Sequence, residues 1–131
     1  LSRLSVCSVA ALGATTLPAF AQAQPLRIGM SMSLTGGLSS NGKPALIAMQ
    51  MWEEDTNAKG GLLGRPVKLV YYDDQSQGAS IPGIYTKLLD VDKVDFVVSG
   101  YSTAAVVPAL PIVIQRLNAT RLQLLDVYGK R

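Results

Sequence analysis

Hydrophobic and polar residues alternate along residues 26–33, with Ile28, Met30 and Met32 on one side, and this period of two predicts a first strand. Residues 67–72 and 95–99 are short runs rich in β-branched and aromatic side chains, which predict a second and a third strand. Residues 121–127 are a candidate for a fourth strand.

Helical spacing separates these strands. The first helix is predicted to start at Asn41 or Gly42, which can cap it, with Pro44 in its first turn, and to end at Gly60 and Gly61. Its apolar positions are Ala45, Ala48, Met49 and Trp52, and its polar positions are Gln50, Glu53, Glu54 and Asn57. The second helix should begin near Ser80, with Pro82 in its first turn, and bury Ile81, Ile84, Tyr85, Leu88 and Leu89.

A third helix should follow residues 100–103 and turn Val106, Val107, Leu110, Val113 and Ile114 inward. Pro111 should bend this helix or force it to start later. The resulting β-α-β-α-β-α order predicts an α/β fold, in which a parallel sheet lies between two helical layers as a three-layer sandwich. Its crossovers should be right-handed.

The first 23 residues have the pattern of a cleaved secretory signal. Arg3 is followed by an apolar or small-residue stretch to Phe20 and by two A-x-A sequences that end at Ala21 and Ala23. The stretch is short for a membrane span and contains Pro18, so we expect no stable span after cleavage.

Composition excludes several classes of function. The chain has no histidine and one cysteine, Cys7 in the predicted signal, so residues 24–131 cannot form a disulfide, a His/Cys zinc site or a Ser-His-Asp triad. Lys plus Arg number 12 against 9 Asp plus Glu, without a basic stripe, so nucleic-acid binding is not expected. No Gly-x-Gly-x-x-Gly, P-loop or G-x-S-x-G motif occurs. We expect neither an enzyme nor a cofactor.

Two loops at the carboxyl ends of predicted strands are candidates for binding a ligand. Residues 34–42 contain three glycines and several small polar residues, and residues 100–103 place Ser102 and Thr103 before a helix. Their backbone N–H groups and hydroxyls could receive a carboxylate, although the same residues also serve simply as caps and turns. Asp73 and Asp74, after the second strand, could hold a magnesium ion or accept a phosphoryl group, but more often such residues cap the next helix or lie in water at a loop.

Three stretches in order, together with the signal, resemble a known family. They are IGMSMSLTGGLSSNGK, DTNAKGGLLGRPVKLVYYDDQSQ and DFVVSGYSTAAVVPALPI. Residues 26–115 resemble the N-terminal lobe of type I, Leu/Ile/Val-binding-protein-like periplasmic receptors of ABC importers. The resemblance implies a periplasmic receptor with two lobes that close on an amino acid or amide and deliver it to an ABC permease.

The resemblance also implies a site. Ser102 and Thr103 match the turn that holds the ligand's α-carboxylate and ammonium groups in that family. Tyr101 and Gly100 shape this turn, while the loop around Leu34 and Gly36 borders the cleft. The segment after Asp73 and Asp74 departs from the family's usual Asp-Pro, so we do not expect the ligand there.

The predicted domains are a signal at residues 1–23, a partial ligand-binding lobe at 24–116 and a divergent tail at 117–131. Because the family's chains are much longer, we expect a truncated copy with impaired binding. Two alternative functions stay open at this point. One is an amide-type sensory or regulatory domain of the same fold, and the other is a phosphoacceptor or enzyme domain that uses Asp73 and Asp74.

Overall fold

The computed structural model describes residues 24–128, with side chains described as far as Asn118. The predicted signal, residues 1–23, lies outside the described residues. The strands are β1 (Leu26–Met32), β2 (Val67–Asp73) and β3 (Phe96–Val97). The helices are α1 (Ser39–Ala58), α2 (Ile81–Asp90) and α3 (Thr103–Tyr128), and a short 3₁₀ turn, Gly78–Ser80, precedes α2.

The three strands form a parallel sheet in the order β2-β1-β3. β1 pairs with β2 along its whole length, from Leu26 opposite Val67 to Met32 opposite Asp73. Its pairing with β3 is short, with Ile28 opposite Phe96 and Gly29 opposite Val97. All three strands therefore end at one edge of the sheet, and the loops that follow them meet there.

A separate apolar cluster covers each face of the sheet. On one face, Leu46 of α1 packs with residues of β1 and β2, namely Ile28, Met30, Met32, Val67 and Leu69. On the other, α2 and α3 join through Ile81, Tyr85, Leu88, Ala105 and Ala109. Helices thus cover both faces of a parallel sheet, which confirms the predicted α/β three-layer arrangement.

Helix α1 differs from the prediction at its start and in its buried face. It begins at Ser39, with Leu38 rather than Asn41 or Gly42 at the N-cap position. Gly42 is buried because the backbone carbonyl of Ser33 lies directly against it. The buried stripe is centred on Leu46, with Ala45 and Met49 partly buried beside it, whereas Ala48 is exposed and Trp52 is 38% exposed. This early contact at Gly42 fixes the rotation of the helix.

Helix α3 also differs from the prediction. It starts at Thr103 and continues through Pro108 and Pro111, so neither proline delays it. Its most buried positions are Ala105 and Ala109, with Ile112 and Val113 packed beside them. Val107, Leu110 and Ile114, predicted to face inward, are 63%, 52% and 48% exposed.

The reason for this rotation is the tight turn before α3. A Cβ added at Gly100 would lie 2.7 Å from the Ala105 Cβ, so the turn presses the alanine side of the helix inward. The candidate fourth strand at residues 121–127 is wrong, because α3 runs through this segment to Tyr128. Within residues 24–128, no helix is both long and apolar enough to cross a membrane.

Candidate functional site

The carboxyl ends of the strands carry three loops, which follow β1, β2 and β3. The loop after β1 leads from Ser33 to Leu38, the loop after β2 from Asp74 to Gln77, and the loop after β3 from Val98 to Ser102. In a parallel sheet, this edge is where ligands usually bind. The contacts among these three loops therefore define the candidate site.

Asp73, the last residue of β2, ties the first loop to the second. Its Oδ1 accepts backbone hydrogen bonds from Leu34 (3.0 Å), Thr35 (3.2 Å) and Gln75 (2.8 Å), and its Oδ2 accepts one from the Thr35 hydroxyl (2.7 Å). Partial burial raises the pKa of Asp73, but the hydrogen bonds from Thr35, Gln75 and Leu34 together outweigh it, so the pKa lies below its usual value of 3.8. Two of the N–H groups that the sequence offered to a ligand anion, those of Leu34 and Thr35, are thus used by Asp73.

Ser76 makes a second link between the same loops. Its hydroxyl donates to the Thr35 carbonyl (2.7 Å) and accepts from the Leu38 N–H (3.0 Å). Gly36 fits beneath it with a φ of 79°, and a Cβ there would lie 2.5 Å from the Gln75 carbonyl oxygen. Glycine at position 36 therefore serves the packing of the two loops.

Asp74, the first residue of the loop after β2, is 1% exposed. Its Oδ1 accepts from the Ser33 hydroxyl (2.7 Å) and from the Ser76 N–H (2.9 Å). Since both oxygens of Asp73 accept hydrogen bonds and Asp74 is buried, this acidic pair braces the loops. That geometry favours the bracing role over a magnesium or phosphoryl site.

Tyr85 of α2 anchors the loop after β3. Its hydroxyl donates to the Val98 carbonyl at 2.7 Å, and burial raises the pKa of Tyr85 above its usual value of 10.0. Gly100 lies close over β1, where an added Cβ would meet the Ser31 Oγ at 2.5 Å. The start of the ligand turn predicted from sequence is therefore held tightly against the sheet.

Ser102 forms the end of this turn and the N-cap of α3. Its carbonyl accepts the N–H groups of Ala105 (2.9 Å) and Val106 (3.0 Å), and the residue is half-buried. Tyr101 and Thr103, on either side, are exposed. The turn thus offers a hydroxyl, an aromatic ring and a helix N-terminus at the carboxyl edge of the sheet, an arrangement suited to a carboxylate.

A small cavity, about 10 Å³ for a water-sized sphere, lies between the loop after β2 and the start of α3. Its lining includes Ser33, Asp74, Ser76 and Ser102. Of the residues predicted for the site, only Ser102 lines this cavity. Gly100, Tyr101 and Thr103 adjoin Ser102 along the chain, whereas Leu34 is held by Asp73 and Gly36 lies against the loop after β2.

Sequence reasoning missed Ser33 and Ser76 as parts of this edge. Ser33 directly follows β1. Serine and methionine alternate from Met30 to Ser33, so Ser33 lies on the same side of the strand as Ser31. A serine at the carboxyl end of the central strand was a readable signal. Ser76 had none, because its role depends on how the loop after β2 folds back over Thr35.

Comparisons with known proteins agree on one family. The sequence profile described as "Periplasmic binding protein" matches residues 25–117. The Leu/Ile/Val-binding protein homolog 2 of Brucella abortus is 28% identical over 110 residues, which cover 82% of this chain and 27% of that protein.

Solved structures give the same result. A possible leucine/isoleucine/valine-binding protein from Rhodopirellula baltica superposes with a TM-score of 0.66 at 29% identity, covering 72% of this chain and 26% of that one. The branched-chain amino acid transporter substrate binding protein LivJ from Streptococcus pneumoniae, in complex with isoleucine, gives 0.67 at 25% identity, with coverages of 70% and 26%. The chain thus spans about a quarter of the length of the relatives it matches.

Proposed function

The chain belongs to the periplasmic binding protein family, and we propose that it forms part of the ligand-binding lobe of an extracytoplasmic solute-binding protein. The proposed ligand is a branched-chain or related amino acid, or an amide. The proposed partner is the permease of an ABC importer, and the proposed location is the periplasm. Relatives named as Leu/Ile/Val-binding proteins support this choice of ligand class.

The turn at residues 100–103 is the observation that supports the proposal most strongly. It combines a hydroxyl at the N-cap of α3 with a backbone fixed by the close approach of Gly100 to Ser31. A preformed helix N-terminus stabilises a carboxylate by its dipole and its unpaired N–H groups. We propose that Ser102 and Thr103 contact the carboxylate of the ligand and that Tyr101 lies beside it.

Leu34 and Gly36 have a less direct role in this proposal. Their loop borders the cleft, but the Leu34 N–H is held by Asp73 and Gly36 packs on the loop after β2. We propose that these residues shape the rim of the site through van der Waals contact. Hydrogen bonds to the ligand would then come from the turn after β3.

We expect the 131-residue chain on its own to bind amino acids weakly or not at all. Tyr101 and Thr103 are exposed, so a ligand on this turn would keep much of its surface in water. Small-molecule sites that bind tightly bury most of the ligand. Isothermal titration with branched-chain amino acids, amides and aromatic acids tests this expectation, and micromolar binding by the chain alone would contradict it.

The position of the site can be tested separately from its affinity. In the ¹⁵N-labelled 131-residue chain, millimolar isoleucine should shift the amide signals of residues 100–104 in wild type. The Ser102→Ala variant should lose this response, whereas Ser99→Ala, an exposed serine three residues away, should keep it. Shifts confined to residues 73–77 would contradict the proposed site.

A further inference from the structure

Asp74 carries a polar atom whose environment the protein does not complete. The side chain is 1% exposed, and its Oδ2 has no hydrogen-bond partner among the residues that the structure describes. The other oxygen, Oδ1, is saturated by the Ser33 hydroxyl and the Ser76 N–H. Buried carboxylate oxygens without partners are rare, because burial removes the water that would otherwise bind them.

The cavity described above adjoins this carboxylate. Its volume of about 10 Å³ is close to the minimum that one water molecule needs. Ser102 also lines this cavity, and a serine hydroxyl can both donate and accept a hydrogen bond. A buried water requires two to four polar partners, and Asp74 and Ser102 supply at least two.

We propose that this cavity binds one structural water, which donates a hydrogen bond to the Asp74 Oδ2 and bridges to the Ser102 hydroxyl. The water joins the loop after β2 to the N-cap of α3. Among the described residues, Asp74 and Ser102 form no direct side-chain hydrogen bond. It is a fixed part of the fold, and its presence does not depend on the ligand proposed above.

A metal ion fits this place less well than water. The cavity admits one small sphere, and its described lining offers one free carboxylate oxygen. Hard cations require about six oxygen ligands at short distances. A water needs only hydrogen bonds of about 2.7–3.0 Å.

A crystal structure of the 131-residue chain, at a resolution that shows ordered water, tests the proposal. We expect one density peak within hydrogen-bonding distance of both the Asp74 Oδ2 and the Ser102 Oγ. No peak, or an Asp74 Oδ2 that pairs with a protein group, would overturn the proposal. A peak with several oxygen contacts near 2.4 Å would also overturn it, in favour of a cation.

Two variants give a second test that does not depend on changing Asp74. Ser102→Val replaces the hydroxyl with an apolar group of similar reach, so we expect the density peak to be lost. Ser99→Val makes the same change at an exposed serine outside the cavity lining and should keep the peak. An unchanged peak in Ser102→Val would rule out the proposed bridge.

Discussion

Asn57, near the end of α1, hydrogen-bonds to the backbone of Val67 on the outer edge of β2. Its Oδ1 accepts the Val67 N–H at 2.7 Å, and its Nδ2 donates to the Val67 carbonyl at 2.9 Å. β2 is an edge strand, since the sheet order is β2-β1-β3. The Asn57→Ala variant would therefore expose one unpaired donor and one unpaired acceptor at the beginning of this strand.

Two further polar residues of α1 bond to β2, Glu53 to the strand's backbone and Gln50 to a side chain. The Leu69 N–H donates to Glu53 Oε1 at 3.2 Å, and the Gln50 Nε2 donates to the Tyr71 hydroxyl at 3.3 Å. Four residues of helix rise about 6 Å, and two residues of strand span about 6.6 Å. Polar residues three or four apart on α1 therefore stay in step with alternate residues of β2.

The size of the effect follows from these two bonds. Each partly buried hydrogen bond contributes about 0.5–1.5 kcal/mol, so losing both should destabilise the fold by about 1–3 kcal/mol. Alanine's higher helix propensity offsets part of this, by about 0.6 kcal/mol. Asn41→Ala, at an exposed asparagine of the same helix, carries the same type of propensity change without the contact to Val67.

Urea unfolding followed by the fluorescence of Trp52, the only tryptophan, gives the free energy of unfolding for each variant. We expect Asn57→Ala to be less stable than Asn41→Ala by about 1–3 kcal/mol. An exposed strand edge also promotes pairing between chains, so Asn57→Ala should aggregate at lower concentration in light scattering. Equal stability of the two variants would refute the edge-capping role of Asn57.

Three further changes test the loops of the site. Gly100→Ala should destabilise the fold by about 1–3 kcal/mol through overpacking, whereas Gly83→Ala, in open space within α2, should stabilise it by about 0.5–1 kcal/mol. Tyr85→Phe leaves the Val98 carbonyl without its donor and should cost about 1–3 kcal/mol. Because the pKa of Asp73 is lowered on folding, its contribution to stability is complete above the unfolded value of 3.8 and is lost as pH falls through the folded value. In Asp73→Asn, the free energy of unfolding should therefore fall less between pH 6 and pH 2 than in wild type. Denaturant titrations measure the first two changes, and the same titrations repeated from pH 6 to pH 2 measure the third.

Each of these expectations has a contrary outcome. Equal effects of alanine at Gly100 and Gly83 would mean that the turn relaxes freely. The pKa of Tyr85 is raised on folding, so its contribution to stability is present below the unfolded value of 10.0 and is lost as pH rises through the folded value. The stability difference between wild type and Tyr85→Phe should therefore shrink above pH 10.0, and a difference that stays constant there would contradict this reasoning. For Asp73, Thr35→Val should reduce part of the loss of stability at low pH. If the free energy of unfolding of Thr35→Val and Asp73→Asn fell with pH as in wild type, the argument from the Asp73 pKa would be contradicted.

The order of elements was readable from sequence because each element has a local signal. The signal is alternation in β1, a run of β-branched and aromatic residues in β2 and β3, and helical spacing between the strands. Ile28, Met30 and Met32 lie in one cluster as their alternation predicted, and Ile81, Tyr85 and Leu88 bury one face of α2. The resemblance to periplasmic binding proteins was also confirmed by the family match. The strand and helix signals depend on side chains within a few residues of one another, and the resemblance depends on the order of three stretches, so the sequence shows both directly.

The rotation of α1 and α3 was not readable in the same way. Periodicity permits several apolar stripes, and the one that is buried depends on contacts with distant residues, such as Gly42 against Ser33 and Gly100 against Ser31. For the same reason, the polar face of α1, predicted simply as the face opposite the core, includes Asn57 at the edge of β2. The periodicity of a helix does not show which residues of other elements contact its polar face.

The sequence by itself therefore determined the family, the order of the elements and the turn at residues 100–103 as the candidate for the ligand. Only the tertiary structure decided what the other polar groups do. Asp73 uses the N–H groups of Leu34 and Thr35, and Asp74 lies buried beside the cavity that Ser102 shares. The physical reason is that these bonds join residues about 40 positions apart, and such pairings exist only once the strands have brought their carboxyl ends to one edge.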